Sequence, residues 1–230
     1  MGVVKRVSRY AHGLLKRYGP ARMKMVFWDR EFARGQWDFI DNTLGDHVYT
    51  HLEKYVGSGS ILDLGCGPGN TATELASPYR SYVGVDISEV ALQKARRKTE
   101  ETGRTGRNRF ACSDFLTYDP GQKFDVILFR ESMYHVPIGK VKLILDRYSQ
   151  FLTENGVFIV RIFLAGPHGE KRYRPKSVIR AIEANFDVVE KAEYDDRGLT
   201  ITVFRPRVKS ARALPGKTQE VATRNATTPA

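Results

Sequence analysis

The residues best suited to chemistry fall in four short stretches, each ending in acidic or polar side chains. Asp63-Leu64-Gly65-Cys66-Gly67-Pro68-Gly69-Asn70 carries an Asp-x-Gly-x-Gly-x-Gly pattern directly after the apolar residues Ile61 and Leu62, and Thr71–Ala76 then reads as a helix. A buried strand, a glycine-rich turn and a helix N-terminus together make a site for a nucleotide-like ligand. The glycines let the backbone take positive φ and let the ligand approach without a Cβ in the way. Tyr82-Val83-Gly84-Val85-Asp86 is a second apolar run ending in an acid, 21 positions after Gly65. In an open α/β sheet an acid at that place hydrogen-bonds the hydroxyls of a bound ribose. Phe110–Phe115 sets a third acid, Asp114, at a strand end, and Phe124–Glu131 finishes a fourth strand with Arg130 and Glu131. Such a set suits a dinucleotide or any adenosine ligand. Asn70, however, stands where the dinucleotide fingerprint wants its third glycine.

These residues need a parallel sheet to bring them to one edge. Strand-like runs lie near 60–64, 81–85, 108–112, 124–130, 156–163, 186–194 and 199–205, and helical ones near 69–77, 88–101, 139–152 and 176–184. Their alternation predicts an α/β fold, a Rossmann-like three-layer sandwich on a seven-stranded, mostly parallel sheet. The last two strands follow each other across Asp195-Asp196-Arg197-Gly198, a hairpin-like link, so the final strand is expected to be antiparallel. Before the sheet, Met25–Tyr55 is helical in pattern and rich in aromatics: Phe27, Trp28, Phe32, Trp37 and Phe39. Trp28 and Trp37 suit either a cap over the site or a core contact between helix and sheet.

Charge divides the chain into three parts. Residues 1–24 carry seven Lys/Arg and no acid, and residues 205–230 carry six against Glu220, so of the net +11 almost nothing belongs to residues 25–204. A uniformly basic groove across the domain is therefore not expected. The expected organisation is a basic N-terminal helix over 1–24, a domain over 25–205 with a helical cap at 25–58, and a flexible basic tail over 206–230. In the first of these, Val3, Val7, Tyr10, Leu14 and Tyr18 recur at helical spacing and Gly19-Pro20 ends the run. The preferred reading packs that face on the domain and leaves the basic face to solvent. A lid over the site, or a contact with anionic lipid or RNA, is the alternative. No apolar run reaches the roughly 20 residues of a bilayer span, the first residues lack a secretory pattern, and Cys66 and Cys112 do not suggest a disulfide framework. A cytoplasmic setting is the expectation, and oligomeric state is open.

Taken in order, the four motifs resemble those of the class I S-adenosylmethionine-dependent methyltransferases, over about residues 25–205. The resemblance implies S-adenosylmethionine as cofactor and no metal. Asp63, with Gly65, Cys66, Gly67 and Asn70 around it, would hold the methionine moiety. Asp86 would take the ribose, Ile87 and Phe115 would flank the adenine, Asp114 would accept the adenine amino group, and the Arg130 backbone would face the methionine amino group. The segment Glu131-Ser132-Met133-Tyr134-His135 is similar to that after the fourth strand in small-molecule methyltransferases, including those acting on amines.

Methyl transfer from a sulfonium needs alignment and dryness first, worth roughly 7–11 kcal/mol, and a base only when the nucleophile carries a proton. Glu131, Tyr134 and His135 are the candidate catalytic residues; His135 has the most suitable unperturbed pKa, about 6.5, but also reads as a supporting or surface histidine. The loop Gly166–Pro175 is locally basic and could read a carboxylate or phosphate, or simply be solvated. Arg161, inside a strand, needs a buried partner if it faces inward. The expected partner is a small-molecule methyl acceptor, giving S-adenosylhomocysteine. RNA or protein as acceptor, and a non-catalytic cofactor-binding protein, are the rival readings. An NAD(P) oxidoreductase is the weakest, since Asn70 breaks its fingerprint.

Overall fold

The computed structural model describes residues 13–40, 43–76, 78–164, 174–194 and 198–207. Expectations for the first twelve residues, the basic loop between 165 and 173, the hairpin link at 195–197 and the tail beyond 207 lie outside these. The helices are α1 (Ala21–Ala33), α2 (Val48–Val56), α3 (Asn70–Glu74), α4 (Glu89–Glu101), α5 (Val141–Ser149) and α6 (Pro175–Asn185), with residues 13–18 also helical. The strands are β1 (Ser60–Leu64), β2 (Ser81–Asp86), β3 (Asn108–Cys112), β4 (Phe124–Arg130), β5 (Leu152–Phe163), β6 (Phe186–Tyr194) and β7 (Leu199–Pro206).

The seven strands form one sheet in the order β3-β2-β1-β4-β5-β7-β6. Pairs β1–β2, β1–β4, β2–β3 and β4–β5 are parallel. β7 runs antiparallel to both β5 and β6. The apolar runs are continuous because both faces are buried. Along β4 and β5, alternate residues feed two cores: Ile127, Phe129, Phe158, Val160 and Ile162 join α5 and α6 on one face. Val126, Leu128, Val157 and Ile159 join α2 and α3 on the other. Removing a Leu or Phe from either core costs about 2–5 kcal/mol.

Two expectations need correction. β5 begins at Leu152 rather than near 156, because Leu152 pairs with Phe124 ahead of a bulge, leaving polar Glu154 and Asn155 exposed within the strand. The basic N-terminal segment does break at Gly19-Pro20, but Pro20 then caps α1 from Ala21, so a boundary at residue 24 would cut a helix. In the described part of that segment Leu14, Leu15 and Tyr18 are exposed, while Lys16 and Arg17 turn inward. The charges face the domain because it offers them acceptors, Glu31 in the cap for Lys16 and the Val136 carbonyl after β4 for Arg17.

Strand order reverses at β1, between β2 on one side and β4 on the other. The carboxyl ends of these strands are the place where open α/β sheets bind ligands. No helix among the described residues is long and apolar enough to cross a membrane.

Candidate active site

The chain leaves β1 through a turn in which Gly65, Gly67 and Gly69 all take positive φ, at 83°, 53° and 74°. Gly65 has a second reason to be glycine: a Cβ there would lie 2.5 Å from the Ser132 Cβ, whose hydroxyl donates to the Leu64 carbonyl at 2.5 Å. At Gly67 a Cβ would instead point into the space between Phe32 and Ile40, 3.8 and 3.9 Å away. The backbone N–H of Gly67 donates to Asp86 Oδ2 at 2.9 Å, and Ser88 N–H donates to Oδ1 at 2.9 Å. Asp86 thus ties the turn to the end of β2. Burial raises its pKa, opposed by these N–H donors.

Asp63 sits in the floor of the turn, almost wholly buried. The Tyr82 hydroxyl donates to its Oδ2 at 2.8 Å, whereas Oδ1 has no hydrogen-bond partner among the described residues, with the Thr71 hydroxyl close by. Burial pushes the Asp63 pKa up to about 6, against the pull of Tyr82 and the Arg130 guanidinium. An unpartnered carboxylate oxygen at the bottom of a cleft is suited to a cationic amino group from a ligand.

These residues border a cavity of about 600 Å³, lined also by Cys66, Asn70, Ile87, Asp114, Phe115, Arg130, Glu131, Tyr134 and His135. Every site residue expected from the sequence therefore meets at one edge of the sheet. The cap supplies the opposite wall, through Lys24, Trp28, Phe32, Trp37, Phe39 and Ile40. Trp28 and Trp37 are thus cavity residues as well as packing ones. Several bonds fix the cap. Asp29 Oδ1 accepts from the Ser88 hydroxyl at 2.7 Å and the Val90 N–H at 3.2 Å, joining α1 to the start of α4. Lys24 pairs with Asp114, whose Oδ1 also accepts the Leu116 N–H at 3.0 Å. The Asn70 side chain donates to the Ile40 carbonyl and accepts from Lys98.

A polar network that the motifs gave no sign of closes the side of the cavity near β4 and β5. Asp46, just before α2, accepts from Arg130 Nη2 at 2.8 Å and forms an ion pair with Arg161, whose Nη2 lies 3.0 Å from its Oδ2. Burial opposes ionisation of Asp46, but Arg130 and Arg161 outweigh it and hold its pKa below the ordinary value. Arg161 Nη1 reaches Glu131 Oε1 at 2.6 Å, where the Phe163 N–H also donates at 2.9 Å. This answers the need of Arg161 for buried partners. Glu131 itself has a positive φ of 52°, unusual for a residue with a side chain. Burial raises its pKa, with Arg161 opposing. The network continues through Tyr49, which accepts from Arg130 Nη1 at 3.2 Å and donates to Glu74 at 2.8 Å.

His135 follows in a single turn of tighter helix, Met133–His135. Its ring meets Trp28 edge-on at 5.1 Å and Tyr134 at 4.6 Å. Burial, with the charges of Lys16 and Arg17 nearby, lowers its pKa to about 3. It is therefore neutral near pH 7 and a weak proton acceptor, contrary to what its unperturbed pKa suggests.

A family model described as a methyltransferase domain matches residues 57–214. A probable thiol methyltransferase of Arabidopsis thaliana is 29% identical over 140 residues, which cover 59% of this chain. The chain spans 61% of the length of that relative and 30% of a Brassica oleracea thiocyanate methyltransferase. Among solved structures, a Burkholderia thailandensis 1,6-didemethyltoxoflavin-N1-methyltransferase with bound S-adenosylhomocysteine superposes with a TM-score of 0.64 at 19% identity, covering 86% of this chain and 89% of that one. The N-methyltransferase NodS of Bradyrhizobium japonicum, also with S-adenosylhomocysteine, gives 0.63 at 20% identity, covering 79% and 97%. The glycine turn, the acid ending β2 and the unpartnered Asp63 oxygen fit that cofactor, and with the family match over residues 57–214 they place this chain among the class I S-adenosylmethionine-dependent methyltransferases.

Proposed function

We propose that the protein transfers the methyl group of S-adenosylmethionine to a small-molecule acceptor and releases S-adenosylhomocysteine. The observation that carries this reading is the cavity shared by the glycine turn and the aromatic cap. At about 600 Å³ it lies within the roughly 300–1,000 Å³ of small-ligand sites, with the cap forming one of its walls. The relatives named for thiol and thiocyanate acceptors favour the same class.

In this reading Asp63 Oδ1 takes the methionine ammonium and Arg130 presents its backbone to the same end. Asp86 receives the ribose hydroxyls through lone pairs left over from Gly67 and Ser88. Ile87 and Phe115 flank the adenine, and Asp114 accepts its amino group beside Lys24. The bound cofactor supplies a methyl group already activated on a sulfonium. What the chain adds is alignment of the acceptor's lone pair and exclusion of water, together worth roughly 7–11 kcal/mol of barrier. His135, neutral and packed against Trp28, shapes the acceptor space with Tyr134. Where the acceptor carries a proton, Glu131 is the better destination, because burial has already raised its pKa. The two free cysteines suit a reducing, cytoplasmic setting.

The test is a screen of thiols, amines, carboxylic acids and a mixed RNA pool with S-adenosylmethionine, reading S-adenosylhomocysteine. Turnover is expected with a small acceptor. Glu131→Gln should lower kcat by about 10²-fold or more for a protonated acceptor, with cofactor affinity kept, while His135→Ala should mainly raise the acceptor KM. Turnover with RNA alone would overturn the small-molecule reading.

A further inference from the structure

One cation in the cavity wall comes from the chain itself. Lys16 Nζ stands 3.5 Å from the centre of the Trp28 ring and 5.9 Å from that of Trp37. It donates to Glu31 Oε2 at 2.6 Å, the oxygen that also accepts the Trp37 indole N–H at 3.0 Å. Two indole faces and a carboxylate make a complete site for an ammonium group. Lys16, Trp28 and Trp37 all border the cavity, and Trp28 touches His135 beside the end of β4.

We propose that the box of Trp28, Trp37 and Glu31 is the recognition site for a cationic amine on the methyl acceptor, with Lys16 holding its place until the acceptor arrives. The inference rests on the methyl-transfer reading and narrows its substrate class. Lys16 is a poor permanent occupant. Its ammonium is compact and strongly hydrated, and burial lowers its pKa even with Glu31 alongside. An alkylated ammonium sheds water more easily and covers an aromatic face better.

The test is a fluorescence titration of the full chain with S-adenosylhomocysteine present, since both tryptophans of the chain lie in the box. The probes are choline and its neutral isostere, 3,3-dimethylbutan-1-ol. Lys16→Ala should bind choline about tenfold tighter than the wild type does and prefer it clearly over the alcohol. Adding Glu31→Gln should abolish the preference. Lys16→Met, which keeps the packing of the stem, should behave as Lys16→Ala does. Equal response to the two probes, or choline binding unchanged in both Lys16 variants, overturns the cation site. Calorimetry with S-adenosylmethionine on the same proteins separates the two readings: retained cofactor binding without choline preference defeats this inference alone, whereas wild-type protein with no turnover of any small acceptor defeats the reading beneath it.

Discussion

At the scale of single residues, Asp63 shows how burial and ligand binding pull one carboxyl in opposite directions. Its folded pKa of about 6 lies above the roughly 3.9 of an unfolded aspartate. Between those values the folded chain keeps a proton that the unfolded chain has lost, so stability from this group falls as pH rises from about 4 to about 6. A cofactor ammonium needs the ionised form. Affinity for S-adenosylmethionine should therefore weaken as pH drops below about 6, by up to about tenfold per unit. Calorimetry between pH 5 and 8 checks this, with 5′-methylthioadenosine, which lacks the methionine ammonium, as the control. The control should show no such trend, and Asp63→Asn should bind S-adenosylmethionine weakly with a flat profile. A flat wild-type profile would remove Asp63 from the ammonium site. His135 is the contrasting case. Its usual pKa made it the best suited of three candidate bases on paper, beside a reading as a supporting histidine, but burial and two neighbouring cations drive it to about 3, and neither influence is visible in the residue's type or its place in the chain.

At the scale of elements, the strands declared themselves and the contacts between them did not. Runs such as Ile61–Leu64 and Phe124–Arg130 are dominated by apolar residues because both faces are covered, and their limits are easily read. The site corner was legible for the same reason: an acid at a strand end and a glycine turn are local patterns. Asp46 is not. It sits in Leu44-Gly45-Asp46-His47, which matches no motif, and its partners Arg130 and Arg161 lie 84 and 115 positions away. Only the fold makes them neighbours. Over residues 13–18 the basic side chains turn inward, against the preferred reading, because periodicity finds an apolar stripe but not the carboxylate and indoles that draw a lysine inward. Because Asp46 joins the start of α2 to the ends of β4 and β5, its loss tests that junction. Asp46→Asn leaves two buried guanidinium groups short of charge and should cost about 3 kcal/mol, the low end for breaking a buried pair, since Glu131 still holds Arg161. The folded pKa of Asp46 is depressed, so this stabilisation is complete above about pH 4 and is lost as pH falls through the lower folded value. Urea melts at pH 7 and pH 3 should show a wide gap between the two proteins at pH 7 and a narrower one at pH 3.

Across the whole molecule, the question is whether cap and sheet behave as one cooperative unit. Three independent ties say that they do: Asp29 to the start of α4, Lys24 to Asp114 after β3, and Asp46 to the ends of β4 and β5. Each reaches a different strand end, so freeing the cap requires breaking all of them and opening both walls of the cavity. Trp28 and Trp37 are the only tryptophans, and both lie in the cap. Fluorescence therefore reports the cap, while far-ultraviolet circular dichroism reports the helices and the sheet. The two should melt at the same temperature. A ligand held between cap and strand ends must then raise both together. At a hundred times its Kd, S-adenosylmethionine adds about 2.7 kcal/mol, which for a domain of this size moves Tm by roughly 5–11 °C. If fluorescence changes well before circular dichroism, the cap is a separate unit that closes on the ligand from outside. If the two traces coincide with and without cofactor, the cavity is built into the fold, and affinity does not have to include the cost of ordering its walls.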